Sequence, residues 1–155
     1  MRVNMNANKQ IINLGWREWL ALPGLQIPAI KAKVDTGART SALHAFFVEP
    51  FEKDNISMVR FGVHPLQKRT DLEIVCETPM KDYRPISDSG GHREMRYVIE
   101  AEFVLGGVSR IIEITLTNRD NMRFRMLLGR TALECCAIFP DKSYLAGRLK
   151  NKYRI

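Results

Sequence analysis

Residues 96–105 and 108–118, RYVIEAEFVL and VSRIIEITLTN, are joined by Gly106-Gly107. Their apolar residues recur with period two. Extended backbone therefore puts Tyr97, Ile99, Ala101, Phe103 and Leu105 on one face of the first arm, and Ile112, Ile114 and Leu116 on one face of the second. Two adjacent glycines supply the positive φ that a two-residue hairpin turn requires. The segment is thus an antiparallel hairpin, and each arm has a core side.

Most of the remaining chain also reads as β. WREWLAL (16–22) leads through the turn PGLQ into IPAIKAKV (27–34), where Ile30, Ala32 and Val34 alternate with Lys31 and Lys33. ALHAFFVEPF (42–51), ISMVRFGVH (56–64) and LEIVCET (72–78) are further strand segments, punctuated by Pro50, Pro65 and Pro79. One short helix is expected near the C-terminus. MLLGRTALECCAIF begins as a buried strand at Met126–Leu128, breaks at Gly129, and continues as a helical RTALECC with Thr131 near its start and Glu134 in its first turn. The expected fold class is mainly β.

At 155 residues the chain is long enough for one domain with a real core. That domain is expected over residues 14–150. A polar, Asn-rich leader (1–13) without an apolar secretory segment precedes it, and a basic tail (151–155) follows. No internal repeat or linker interrupts it. No apolar run approaches the roughly 18–20 residues a membrane helix needs, so the cytoplasm is the expected compartment and no membrane partner is expected. Cys76, Cys135 and Cys136 form no CxxC, which argues against a disulfide framework or structural zinc and for reduced thiols. The net charge of +7 would suit nucleic acid, but the basic residues are spread out and GRLKNKYRI is the only dense cluster. No nucleic-acid motif accompanies it. An acidic peptide partner suits the charge equally.

KVDTGART, residues 33–40, ends an apolar strand in an acid. A carboxylate at the end of a buried strand is costly without a purpose. Asp-Thr-Gly after a hydrophobic strand is how aspartic peptidases present their catalytic group. Asp35 would polarise a water that attacks a peptide carbonyl. The Thr36 hydroxyl could fix the loop sideways, and Gly37 could bring its N–H to the carboxylate. The mechanism needs two carboxylates sharing a proton, because like charges held close cannot both ionise. This chain has one such motif, so activity requires a two-fold homodimer that sets Asp35 beside its symmetry mate.

The sequence resembles the retropepsin-like aspartic peptidases. IPAIKAKVDTGARTSAL resembles their strand and catalytic loop, ISDSGGHREM (86–95) their Gly-rich flap tip, YVIEAEFVLGGVSRIIEITLTN the hairpin after the flap, and MLLGRTALECCAIF the closing strand and helix. It more closely resembles the bacterial family labelled "ATP-dependent zinc protease", through Ala32–Ala45, Ser89–Ile99, Leu116–Met122 and Met126–Arg130. The resemblance implies a closed β-barrel with one short C-terminal helix. It implies an aspartic endopeptidase, and an association with ATP-grasp ligases that add glutamate to proteins. Beyond the compact viral pattern, residues 45–83 form an inserted β segment.

Catalytic residues are then expected at Asp35, Thr36 and Gly37, and substrate contacts at Ala38, Arg39, Ser89, Gly90 and Gly91. Arg130 is expected as structural support. Arg39 could hold an acidic substrate side chain, or form a structural salt bridge. Arg84 and Arg93 flank the flap and could add to an acidic preference, or be simply solvated. Asp120 and Glu113 lack a DTG-like setting and are expected to be ordinary charges. No cofactor is expected: there is neither GxxxxGK[ST] nor HExxH, and His44, His64 and His92 are far apart in sequence. The expected substrate is a peptide or protein, with acidic or glutamylated segments as the narrower expectation. The alternatives are a non-catalytic peptide-binding or regulatory module, and a zinc-dependent hydrolase as the family label suggests.

Overall fold

A computed structural model of the chain describes residues 11–87, 90–118 and 123–147. Twelve strands appear among them. They are β1 (Ile12–Leu14), β2 (Arg17–Leu22), β3 (Ile27–Val34), β4 (Ser41–His44), β5 (Phe47–Lys53), β6 (Ile56–Val63), β7 (Ile74–Pro79), β8 (Asp82–Ser87), β9 (Arg93–Leu105), β10 (Val108–Thr117), β11 (Met126–Leu128) and β12 (Cys136–Ile138). A 3-10 turn at Pro23–Leu25 connects β2 to β3. Strand β1 spans the boundary drawn at residue 14 between leader and domain.

The main sheet runs β10-β4-β11-β3-β2-β9-β8, and β9 also pairs with β10. Six strands therefore form a ring of hydrogen bonds, matching the expected mainly-β, barrel-like class. The β2–β9 seam is the thinnest join, one pair between Ala21 and Val104. Inside the ring lie Leu20, Ile30, Leu43, Ile99, Phe103, Ile114, Met126 and Leu128, all essentially inaccessible to water. Burial on this scale is the main stabilising term.

The β9–β10 hairpin follows its sequence pattern. Leu105 pairs with Val108, and Gly106 and Gly107 take φ of 58° and 80° in the turn between them. Ile99, Ala101, Phe103 and Leu105 face the core from one arm, and Ile112, Ile114 and Leu116 from the other. Tyr97 is only half-buried.

The insertion forms its own antiparallel sheet, β5-β6-β7. The expected strand over 42–51 is two strands in different sheets. The Ala45 amide donates to Thr117 of β10, while the next amide, Phe46, donates to Gly62 of β6. Consecutive backbone groups thus carry the chain from ring to insertion, within an unbroken apolar run that hides the corner.

The expected C-terminal helix is corrected to one 3-10 turn, Arg130–Ala132. Cys135 adopts φ of 61°, a left-handed conformation no helix continues through. Cys136 then begins β12, which runs parallel to β1, with Ile12 opposite Cys136 and Leu14 opposite Ile138. Cys135 and Cys136 are accordingly not packed helix residues, and Glu134 is in no helical first turn. Pairing with a partner more than a hundred residues away overrode local propensity here.

Candidate active site

Asp35 is the first residue past β3, and hydrogen bonds hold the end of that strand on both edges. The Val34 amide donates to the Trp16 carbonyl and the Asp35 amide to the Leu128 carbonyl, each at 2.9 Å. The chain then turns. Gly37 N–H donates to Asp35 Oδ1 at 3.0 Å, and Ala38 N–H donates to the Asp35 carbonyl at 3.2 Å. The first bond satisfies one carboxylate oxygen and orients the group. A Cβ at Gly37 would sit 3.3 Å from that oxygen, so glycine allows the amide to approach. Asp35 and Ala38 are half-buried, whereas Thr36, Gly37 and Arg39 are exposed.

The loop interlocks with the turn after β11. Arg130 N–H donates to the Ala38 carbonyl at 2.8 Å and Thr131 N–H to the Arg39 carbonyl at 3.0 Å. Arg130 Nη1 donates to the Thr36 carbonyl at 3.0 Å. Gly129 N–H donates to the buried Ser41 Oγ, also at 3.0 Å. The two backbones approach so closely that a Cβ on Gly129 would lie 2.6 Å from the Thr40 carbonyl carbon. The loop is therefore a rigid cradle, and its rigidity comes mainly from backbone bonds rather than from bulk packing.

Strands β8 and β9 form a second hairpin, in register from Asp82 opposite Val98 to Ser87 opposite Arg93. Its turn holds Gly90 and Gly91, the latter at φ of 82°, where glycine is the easy choice. Ser89 and Asp120 lie outside the described residues. Arg84 is not simply solvated. It bonds Glu113 on β10 at 2.7 Å and Asp82 at 3.2 Å, and the Glu113 bond, foremost, holds its guanidinium pKa above the ordinary value. Glu113 is thereby engaged as an ion-pair partner. Arg93 is exposed at the start of β9.

The histidines occupy separate places. His44 ends β4 and is buried; His92 lies exposed beside the flap turn. His64 stacks on Phe46 with ring centroids 4.2 Å apart, and its Nε2 is 3.5 Å from Glu73 Oε2. Among the described residues no three His, Cys, Asp or Glu side chains come together as a metal site. No helix among them is long and apolar enough to cross a membrane. Cys76 is buried and donates its thiol to the Leu25 carbonyl, and burial pushes its pKa up to about 12.

Two buried polar groups escape a reading by motif. Glu18, fully buried in β2, accepts backbone N–H bonds from Gly15, Leu145 and Ala146, tying the C-terminal segment to the ring. Its one sequence signal is phase, since it alternates with Leu20 and Leu22 on the core side of β2. Arg96, buried in β9 among strand residues, carries no signal at all.

Comparison with known proteins identifies the family. The family described as "Retropepsin-like aspartic endopeptidase RimB" matches residues 13–148. A protein of Parasynechococcus marenigrum named "Probable alpha-L-glutamate ligase" is 47% identical over 140 residues, covering 90% of this chain and 30% of that protein. A namesake from Shewanella pealeana is 45% identical over 144 residues, covering 92% of this chain and 31% of its own. The chain thus spans about 30% of the length of these curated relatives. A crystal structure of a Legionella pneumophila protein of unknown function (DUF785) superimposes with a TM-score of 0.71 at 26% identity, covering 87% of this chain and 98% of the other. With the whole ring and the DTGA cradle inside the matched span, this chain belongs to the RimB-like family of retropepsin-like aspartic endopeptidases.

Proposed function

We propose that the chain is an aspartic endopeptidase that works as a homodimer, with a water held between Asp35 of one protomer and Asp35 of its partner. The observation that carries this reading is the carboxylate itself. It stands at a strand end, half-buried, with one oxygen engaged by the Gly37 amide, in a loop tied by backbone hydrogen bonds to the turn after β11. One chain supplies one such group, and the chemistry needs two.

In the proposed reaction one Asp35 is ionised and its mate protonated. The ionised group takes a proton from the water as its oxygen attacks the peptide carbonyl carbon. The protonated group donates to the carbonyl oxygen. Collapse of the tetrahedral intermediate breaks the C–N bond, and the departing nitrogen receives a proton from the dyad. The two apparent pKa values belong to the pair. Ala38 and Arg39 would line the cleft, and the β8–β9 flap with Ser89, Gly90 and Gly91 would close over an extended peptide and exclude water.

The substrate we propose is an acidic or glutamylated protein segment, made by a ligase acting on the same protein. Support comes from the glutamate-ligase name of the relatives, the net charge of +7 and the exposed Arg39 beside the cradle. The test is subunit mixing on a panel of peptides differing in Glu content. Asp35→Asn should lower kcat by about 10⁴-fold or more while the dimer persists in sedimentation. In wild-type and Asp35→Asn mixtures, activity should fall as the square of the wild-type fraction. A linear fall means one carboxylate suffices and removes the dyad. Equal cleavage across the panel removes the acidic preference, and loss of activity on chelation favours a zinc-dependent hydrolase. Processing that survives Asp35→Asn unchanged favours a non-catalytic module.

A further inference from the structure

Four of the buried polar side chains belong to one connected chain of contacts. Arg96 is 8% exposed, Thr115 1%, Thr117 4% and Ser41 0%. Arg96 Nε donates to Glu94 Oε1 at 2.6 Å, and Thr117 Oγ1 donates to the same oxygen at 3.1 Å. Arg96 Nη1 donates to Thr115 Oγ1 at 3.3 Å, and Thr115 Oγ1 donates to the Ser41 carbonyl at 3.3 Å. Ser41 Oγ in turn accepts the Gly129 amide at 3.0 Å. Gly129 begins the turn whose Arg130 and Thr131 amides grip the Ala38 and Arg39 carbonyls.

This path starts at the root of the flap and ends in the DTGA cradle. Burying an arginine together with its acidic partner is costly, and apolar residues in place of the whole pair are often neutral or better for stability, whereas removing one partner alone is destabilising. The pair's presence calls for a gain other than packing. The opposite flap strand supplies the contrast. Arg84 pairs directly across from Arg96 and also reaches β10, at Glu113. Arg84 and Glu113 are each about one-third exposed, and their bond connects flap to β10 without passing on to Ser41 or Gly129.

We propose that Arg96 is a positioning residue that couples the flap hairpin to the catalytic loop through Thr115 and Ser41. When the flap closes on a peptide, β9 moves with it, and Arg96 transmits the placement of its root to the cradle that aims Asp35. A flap in the wrong place leaves the cradle looser and the carboxylate less well aimed. The coupling rests on the peptidase reading for its catalytic consequence, but not for its structural one.

The test uses the full-length protein and two readouts. Amide hydrogen exchange is followed at Asp35, Ser41 and Gly129, and kcat and KM are measured on a Glu-rich fluorogenic peptide. Thr115→Val removes the bridging hydroxyl at nearly constant shape, and is the principal variant because Arg96→Leu could compromise folding. Thr115→Val should raise exchange at Gly129 by about tenfold, the loss expected of one buried hydrogen bond, and lower kcat with KM little changed. Arg96→Lys, which keeps a donor toward Glu94 and Thr115, should restore part of the protection lost in Arg96→Leu. Arg84→Gln should leave exchange at Gly129 as in wild type. If Thr115→Val folds and Gly129 exchanges at the wild-type rate, the coupling is wrong, whatever happens to kcat. If exchange rises but the wild-type protein cleaves no peptide, the coupling holds and the peptidase reading fails.

Discussion

Arg130 donates Nη1 to the backbone carbonyl of Thr36, 94 residues earlier in the chain, at 3.0 Å. Its own amide binds the carbonyl of Ala38. One residue thus grips the DTGA loop on both sides of Gly37, by side chain and by backbone. A loop next to a reacting group must hold its geometry without a hydrophobic core of its own, and such bonds are how it can.

Arg130→Leu should keep the backbone grip and lose the side-chain one. Because Arg130 is exposed, we expect a modest stability loss of about 1 kcal/mol in urea titration. The fall in kcat should be larger in proportion, since loop geometry and not the core is disturbed. A variant that loses stability but keeps full kcat would show that the Thr36 carbonyl needs no brace.

Gly129→Ala places a methyl group 2.6 Å from the Thr40 carbonyl carbon and 2.9 Å from the Arg39 carbonyl oxygen. Both are backbone atoms and cannot rotate away. The loop must move, at an expected cost of about 2–3 kcal/mol. Thermal unfolding checks it. Gly24, whose added Cβ would meet nothing within 4 Å, is the control and should accept alanine with little change.

Glu18→Gln replaces an acceptor of three amides by a group with one oxygen and one NH2. The amides of Gly15 and Leu145 share Oε2, and Ala146 uses Oε1, so one side of the amide group must face a donor. A loss of about 1–3 kcal/mol is expected, together with release of the 143–147 segment. Limited proteolysis near residue 145 reads that release. Resistance equal to wild type would mean the segment is held by something else.

Cys76 makes a prediction in pH. Burial pushes its pKa to about 12 from the usual 9.0, so the folded state holds the thiol proton more tightly than the unfolded chain does. The stabilisation is fully present below 9.0 and is lost progressively as pH rises from 9.0 toward about 12, where the unfolded chain alone ionises. Comparing urea midpoints at neutral and alkaline pH, Cys76→Ala should show the shallower decline. Identical declines would assign the alkaline loss to other groups.

The β2, β3, β9 and β10 strands were legible because alternation is a local property. A half-buried strand must point every second side chain inward, and Ile30, Ala32, Ile112 and Ile114 do so. The DTGA loop was legible as a turn for a similar reason, since an acid, a hydroxyl and a glycine directly after a strand are local turn chemistry. The break inside 42–51 was not legible, because both sheets ask for apolar residues and the corner at Ala45 and Phe46 is defined only by which carbonyl each amide meets. RTALECC misled through its helix-compatible composition. The parallel partner of Cys136–Ile138 lies at Ile12–Leu14, and no local window contains both.

From its sequence alone this chain was bound to be a β protein with a carboxylate displayed at the end of the strand IPAIKAKV, because period-two burial and turn chemistry are written within a few residues. The tertiary structure decided what that carboxylate leans on. Thr36 meets Arg130, Ser41 meets Gly129, and Arg96 reaches Thr115, all through contacts between segments distant in sequence. Such pairings depend on where the ring places strand ends, and a hydrogen bond leaves no periodic mark on the residues that make it.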